Sequence, residues 1–338
     1  MGRNDTRSLV ALLLLIIFTY IFVGTDFAFC APKASAQKEE KKDEEKKEVV
    51  KYNVFAKYPL KVYNKYKFTE DTKVVRRFSD SSTKEYTRSQ TFFFTIFAAN
   101  APEDGFQTLE VTVDSMQYKF VEGDAIIEVN FDDLPPTSFS DFVACNVPLG
   151  KEFEMTYSPY GEVAKIEGEK LDKLTELITV KGKNSMDTLQ KYMWMRGISY
   201  EHLTFLFDLQ KGIVPQEPVA IDSSWKTNFA LEIEGVDFSD TVKNTLKSYD
   251  AGIFEIEVKA EKLHPFLTPI RMYNVSEFVH VDSGMAYGTY KMKVNTSGSI
   301  KNVEGDFNAD VVTSIKKEKF IHNISVKMNW ELLGQYKW

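Results

Sequence analysis

The chain has 338 residues, of which 43% are apolar, 14% aromatic and 27% charged; 42 basic side chains face 49 acidic ones, for a formal net charge of −7. That length and apolar fraction are enough for a large buried core. An acidic balance with no basic stripe excludes nucleic acid as a partner, because phosphate is repelled.

The N-terminus predicts export. Arg3 and Arg7 supply a positive start, Leu9 to Val23 is a continuous apolar or aromatic run, and Ala34-Ser35-Ala36 offers small residues for cleavage. Residues 1–36 are therefore predicted as a signal peptide. An uncleaved N-terminal anchor is the alternative, although a helix of this run would rise only about 22 Å against roughly 30 Å of hydrocarbon. Cys30 invites a lipidation reading, but Phe29 stands where a lipoprotein peptidase takes a small residue. The predicted localisation is extracytoplasmic, periplasmic or secreted, with membrane contact only through the N-terminus if that is retained or lipidated. Cleavage after Ala36 leaves Cys145 as the one cysteine, so no intramolecular disulfide forms.

Residues 37–51 read as a charged linker. All eleven residues from Lys38 to Glu48 are charged, five lysines and six acids, so nothing there repays chain entropy by packing. A first β unit follows over 52–168. Leu109, Val111 and Val113 alternate with Glu110 and Thr112, and Ile127, Val129 and Phe131 with Glu128 and Asn130; that period of two describes strands with one buried and one wet face.

The period changes over 169–214, a predicted helical insert. Leu171, Leu174, Leu177 and Ile178 share one side of a helix over 169–180. A second helical stretch over 185–211 breaks near Gly197, and Leu203, Phe205, Leu206, Phe207 and Leu209 point to burial on more than one side. Pro215 and Pro218 close the region. A second β unit spans 215–338, with strands resuming at Trp225 and Phe254, Ile256 and Val258 alternating with acids. Its last strand is the clearest in the chain: Ile324, Val326, Met328, Trp330 and Leu332 face one way, Ser325, Lys327, Asn329 and Glu331 the other.

The fold class expected is mainly β with a helical insert (α+β): two related antiparallel β units, as curved sheets, a half-barrel or a sandwich, joined by helices. The relation between the units rests on an internal repeat. Gly150, Phe153, Met155, Gly161, Val163, Ile166 and Gly168 align on Gly288, Tyr290, Met292, Gly298, Ile300, Val303 and Gly305 without a gap, except that the first glycine slips by one residue. Each copy encodes a strand, a glycine turn and a returning strand.

The segments Lys65 to Thr72 (KYKFTEDT), Asp104 to Met116 (DGFQTLEVTVDSM), Ser158 to Val163 (SPYGEV) and the passage from Pro215 to Trp225 resemble a family of uncharacterised exported bacterial proteins, a domain of unknown function. The resemblance covers most of 60–330. It implies an extracytoplasmic β-rich fold with no assigned reaction, and it brings no catalytic residues.

Chemistry is sparse. His202, His264, His280 and His322 stand alone, with no second histidine or cysteine at ligand spacing, so no metal and no cofactor is expected. Ser81 with Lys84 and Ser314 with Lys317 match a serine–lysine spacing whose companion elements are missing. Asp132, Asp133 and Asp141 surround Pro135-Pro136 without a calcium-loop spacing. No catalytic residue is nominated and the protein is read as a non-enzyme. The expected function is extracytoplasmic binding in the cell envelope, for an apolar or lipid-like ligand, with Tyr192, Met193, Trp194, Met195 and Phe205 as candidate contacts because Met and aromatic side chains suit such a surface. A structural or protein-interaction module with an envelope protein as partner is the alternative, and a hydrolase with a dispersed site the remote one.

Overall fold

The computed structural model describes residues 49–130, 148–180 and 187–337. The signal peptide, nearly all of the charged linker, Cys30, Cys145 and the Asp132–Asp141 patch lie outside the described residues.

Alternation and glycine punctuation translate into strands β1 (Val62–Arg77), β2 (Thr83–Phe97), β3 (Gln107–Glu122), β4 (Ala125–Val129), β5 (Glu152–Tyr157) and β6 (Val163–Glu167). Helices α1 (Glu169–Thr179), α2 (Thr188–Arg196) and α3 (Tyr200–Phe207) follow. The chain then returns to strands β7 (Ser224–Ile233), β8 (Val236–Asp250), β9 (Ile253–Pro265), β10 (Pro269–Ile270), β11 (Val279–Asn295), β12 (Ile300–Ile315) and β13 (Glu318–Lys337). The helices fall where the period changes, and Gly197 separates α2 from α3 as its place in the sequence predicts. Asp187 caps α2 in a capping box with Gln190, and the Ser199 hydroxyl caps α3 by accepting from His202 N at 3.2 Å.

The two expected β units are the two halves of one antiparallel sheet, in the order β6-β5-β3-β2-β1-β13-β12-β11-β9-β8-β7. The chain starts at the centre, winds out to one edge, crosses through the helices to the other edge and winds back. The halves join along β1 and β13, paired from Val62↔Lys337 to Arg77↔Ile321.

The sheet is strongly curled. β2 and β8 stand six places apart in it, about 29 Å if the strands lay flat at ~4.8 Å spacing. Yet Tyr86 of β2 donates to Glu234 at the β7–β8 turn, with 2.7 Å between oxygens. Along the middle of the strands what points into the curve is buried and most of what points out is polar: His322, Ile324, Val326, Met328 and Trp330 of β13 are enclosed, while Ser325, Lys327 and Glu331 are exposed. Asp71, Lys73, Glu304 and Asp306 continue the wet outer face.

Two fillings occupy the concave side. At one end aromatic rings close over α3: Phe207 meets Phe94 at 5.0 Å and Phe153 at 5.6 Å between centroids, and Phe205 meets Phe68 edge-on at 6.1 Å. Trp330 Nε1 donates to Leu206 O at 2.7 Å and Tyr290 Oη to Leu209 O at 2.9 Å, so this segment is pinned from β11 and β13 alike. At the other end the inner face turns polar. Arg88 ion-pairs with Glu70 and, at 2.8 Å, with Glu234, while Gln90 donates to Glu70 at 2.9 Å. Arg76 donates to His322 Nδ1 at 3.2 Å and to the carbonyl of Asn274 at 2.8 Å. Two guanidiniums against two carboxylates leave this buried network balanced in charge. The Glu234-Gly235 turn enters the network tightly: Gly235 has φ +80°, and a Cβ there would lie 2.8 Å from Arg271 O, so only glycine fits.

The aligned hairpins of the sequence repeat share a turn. Asn295 N donates to Ser299 O at 3.0 Å and Gly298 N to Asn295 O at 2.9 Å; Ser158 N donates to Glu162 O at 2.8 Å and Gly161 N to Ser158 O at 3.0 Å. Gly161 and Gly298 both take positive φ, 76° and 87°.

Candidate functional site

A curled sheet with two unpaired edges needs something at its seam, and α3 sits there. Tyr200 Oη donates to Val163 O of β6 at 2.5 Å, and on the other side His202 Nδ1 lies 3.0 Å from Glu232 Oε2 of β7. Leu203, Leu206 and Phe207 turn into the core with 0% exposure. The remaining face of α3, with β7 and β8, bounds a cleft of about 400 Å³.

The cleft wall is aromatic and aliphatic: Val163, Phe205, Phe229, Leu231, Phe238 and Phe266. Phe229, Leu231 and Phe238 are core residues whose inward direction follows from strand alternation, whereas Phe266 is 55% exposed and stands at the rim. Charged groups also line it, and most are held internally. Glu232 accepts from Arg196 at 2.8 Å, and Asp237 is bound by Arg196 in bidentate fashion at 2.7 and 3.0 Å. Burial alone would raise the Glu232 carboxyl, but the Arg196 guanidinium and His202 overcome it and hold the group well below the usual carboxylate range.

On the floor, Asp208 closes α3 as an Asx turn: its Oδ1 accepts from the amides of Gln210 at 2.9 Å and Lys211 at 3.1 Å and from Tyr157 Oη at 3.0 Å. Burial pushes its carboxyl up despite Lys211 and these donors. Lys211 Nζ donates to the last carbonyls of α3, Thr204 O at 3.4 Å and Phe205 O at 3.3 Å, and lies over the rings of Phe205 and Trp330. Burial brings its ammonium down to about 8. Glu162 and Glu201, both exposed and without an ion pair among the described residues, complete the mouth.

Of the candidate contacts read in the sequence, the structure brings Phe205 to the cleft. Tyr192, Met193, Trp194 and Met195 stand on α2 and are not part of its lining. Tyr192 packs edge-on against Phe278 at 5.1 Å, Met193 is 2% exposed, and Trp194 and Met195 are half-buried. Phe229, Leu231 and Phe266 carry the wall instead. Their apolar character was visible in the sequence, but their meeting with α3 depends on which strands form the edges.

The histidines are dispersed. His322 accepts from Arg76 and hydrogen-bonds Thr313, His264 lies 3.5 Å from Asp240 and His280 3.2 Å from Asp282 on the surface. The Nε2 atom of His202 is buried and has no hydrogen-bond partner, so no hydroxyl nucleophile is aligned on it. Among the described residues no three His, Cys, Asp or Glu side chains converge as a metal site would require.

Residues 104–264 match the profile of a family of unknown function, DUF6263, the kind of family the turn and strand segments resemble. No curated protein matches the chain. Among solved structures, one described as lipid–protein interactions in lipovitellin aligns over 83% of this chain at 12% identity with a TM-score of 0.41. The chain spans 26% of that protein's length. Pseudomonas aeruginosa OccK5 (OpdH) and OpdQ align over 80% of this chain and 98% and 99% of theirs, at 7% identity and TM-scores of 0.24 and 0.20. These scores and identities carry no functional argument.

Proposed function

We propose that the protein is a non-enzymatic binding protein of the cell envelope, working outside the cytoplasm, and that its seam cleft takes an apolar, lipid-like ligand. The observation that carries the reading is the cleft wall of Phe205, Phe229, Leu231, Phe238 and Phe266 around about 400 Å³ of space. That volume lies in the range of small-molecule sites, which combine an apolar lining with few polar groups. Most of the charged lining already has partners, so a ligand gains chiefly by leaving water. The export signal read in residues 1–36 supports the location. Glu162 and Glu201 at the mouth favour an uncharged or cationic head over a carboxylate.

The test is a fluorescence titration with the uncharged probe N-phenyl-1-naphthylamine, alongside mass spectrometry of solvent extracts of the purified protein. A saturable, blue-shifted rise at one site is expected. Ala230→Trp, at an exposed cleft position, should weaken it by about tenfold by filling the space. A probe that stays dark, together with extracts free of lipid, sinks the reading.

A further inference from the structure

A second concavity, of about 480 Å³, lies near the β5–β6 turn and is built differently. One wall is the segment entering β1: Lys57 N donates to Gly298 O at 2.8 Å, and Phe55 lies on Gly298, where a Cβ would meet its ring at 2.8 Å. Another wall is the β5–β6 turn with Pro159 and Tyr160, seated on Gly105, whose added Cβ would meet Pro159 at 2.8 Å. Phe55 and Tyr160 remain 40% and 59% exposed, so both rings present a face to the groove that a ligand can cover.

Gln210 supplies the floor. Only 4% of it is exposed, and its backbone is fully engaged, N to Asp208 and O to Ile213 N. Its side-chain amide has no hydrogen bond to a described residue, and Oε1 would come within 2.9 Å of a Cβ on Gly161. The amide is not sealed from solvent, so a ligand in the groove can reach its donor and its acceptor. Gln107, 8% exposed, likewise lines the groove, its Nε2 spent on Tyr58 O at 3.2 Å and its Oε1 open. Asn53 and Gln216 add two more amides, and Lys57 is the one charged side chain of the lining.

We propose that this groove is a saccharide-binding site, separate from the seam cleft. Sugar rings present C–H faces that stack on exposed aromatic rings and hydroxyls that both donate and accept. Side-chain amides carry a donor and an acceptor together, so a neutral amide set with flanking rings matches that pattern. A charged ligand finds no countercharge set here. A proline-rich peptide also docks on exposed rings, but it reads them with few hydroxyl-like donors, whereas four side-chain amides line this groove; such a peptide is the competing outcome of the test below.

Isothermal titration with cellotriose, maltotriose and tri-N-acetylchitotriose, with saturation-transfer NMR, tests the proposal. Co-sedimentation with insoluble cell-wall glycan separates a polymer source from free oligosaccharide. Binding of at least one of these glycans is expected, with Tyr160→Ala and Gln210→Ala each weakening it by about tenfold and Ala230→Trp leaving it unchanged. Tyr160 is exposed enough that its truncation spares the fold, which a thermal melt verifies. Failure of all four glycans overturns the proposal, as does binding that ignores Tyr160→Ala, or capture of a proline-rich decapeptide without any glycan. None of these outcomes touches the naphthylamine result, so the two sites stand or fall separately.

Discussion

His322 shows how one buried side chain ties stability to pH. Arg76 Nε donates to its Nδ1, so the ring proton sits on Nε2 and is shared with Thr313 Oγ1 at 2.8 Å. Burial and then the Arg76 charge bring the imidazole down to about 3. The unfolded chain takes up a proton near pH 6.5 that the folded chain refuses, so this contribution is intact above about 6.5 and is lost as pH falls towards 3. From pH 7 to pH 5 it should cost about 2 kcal/mol. Urea unfolding of His322→Gln should show a pH 7-to-5 loss smaller than that of the parent by this amount; equal losses would refute the neutral-histidine picture. Arg88 is the complementary case. Arg88→Met leaves Glu70 and Glu234 buried together without their cation and should cost about 3–5 kcal/mol in the same assay. Adding Glu70→Gln and Glu234→Gln should restore part of that loss, because the stranded charges are the main penalty.

At the scale of elements, α3 acts as a stave as much as an insert. It spans only eight residues, too short to persist alone, and its existence depends on the rings around it. Phe207→Ala should cost about 3–5 kcal/mol, since Phe92, Phe94 and Phe153 close over a side chain with 0% exposure. The same variant should reduce naphthylamine binding, because α3 is one wall of the cleft; denaturation and probe titration read the two effects. The helical period, the break at Gly197 and the many-sided apolar pattern of 203–209 made this element legible from residue spacing. Its role at the seam was not legible. Val163 and Glu232, the partners of Tyr200 and His202, lie 37 and 30 residues away in sequence on opposite edges of the sheet, and no local pattern marks them as neighbours of α3.

For the whole molecule, the centre of the sheet is the junction of chain start and chain end. β13 follows the other described strands in the chain and is the one on which both halves pair, between β1 and β12. Truncation before Glu318 should therefore abolish cooperative unfolding rather than trim the structure, as monitored by circular dichroism. Hydrogen exchange should be slowest in β1, β12 and β13 and fastest in β6 and the outer amides of β7, which have no strand beyond them. Equal protection at centre and edge would contradict this topology. The outer face, with Asp71, Lys73, Glu304, Asp306 and Lys327, is one that water covers, and the charged positions follow the same alternation as the buried ones.

Period-two and period-3.6 patterning settled the strands, the helices and which side chains turn inward, because each depends on local geometry and on the cost of burying polar groups. The glycine turns at Gly161 and Gly298 belong with them, since positive φ is a local demand. Merging two β units into one curled sheet, seating α3 at its seam and gathering Phe205 with Phe229 and Leu231 came from long-range pairing. Alternation says which face of a strand is buried but not which strand lies beside it, and both the cleft and the amide groove are products of that choice.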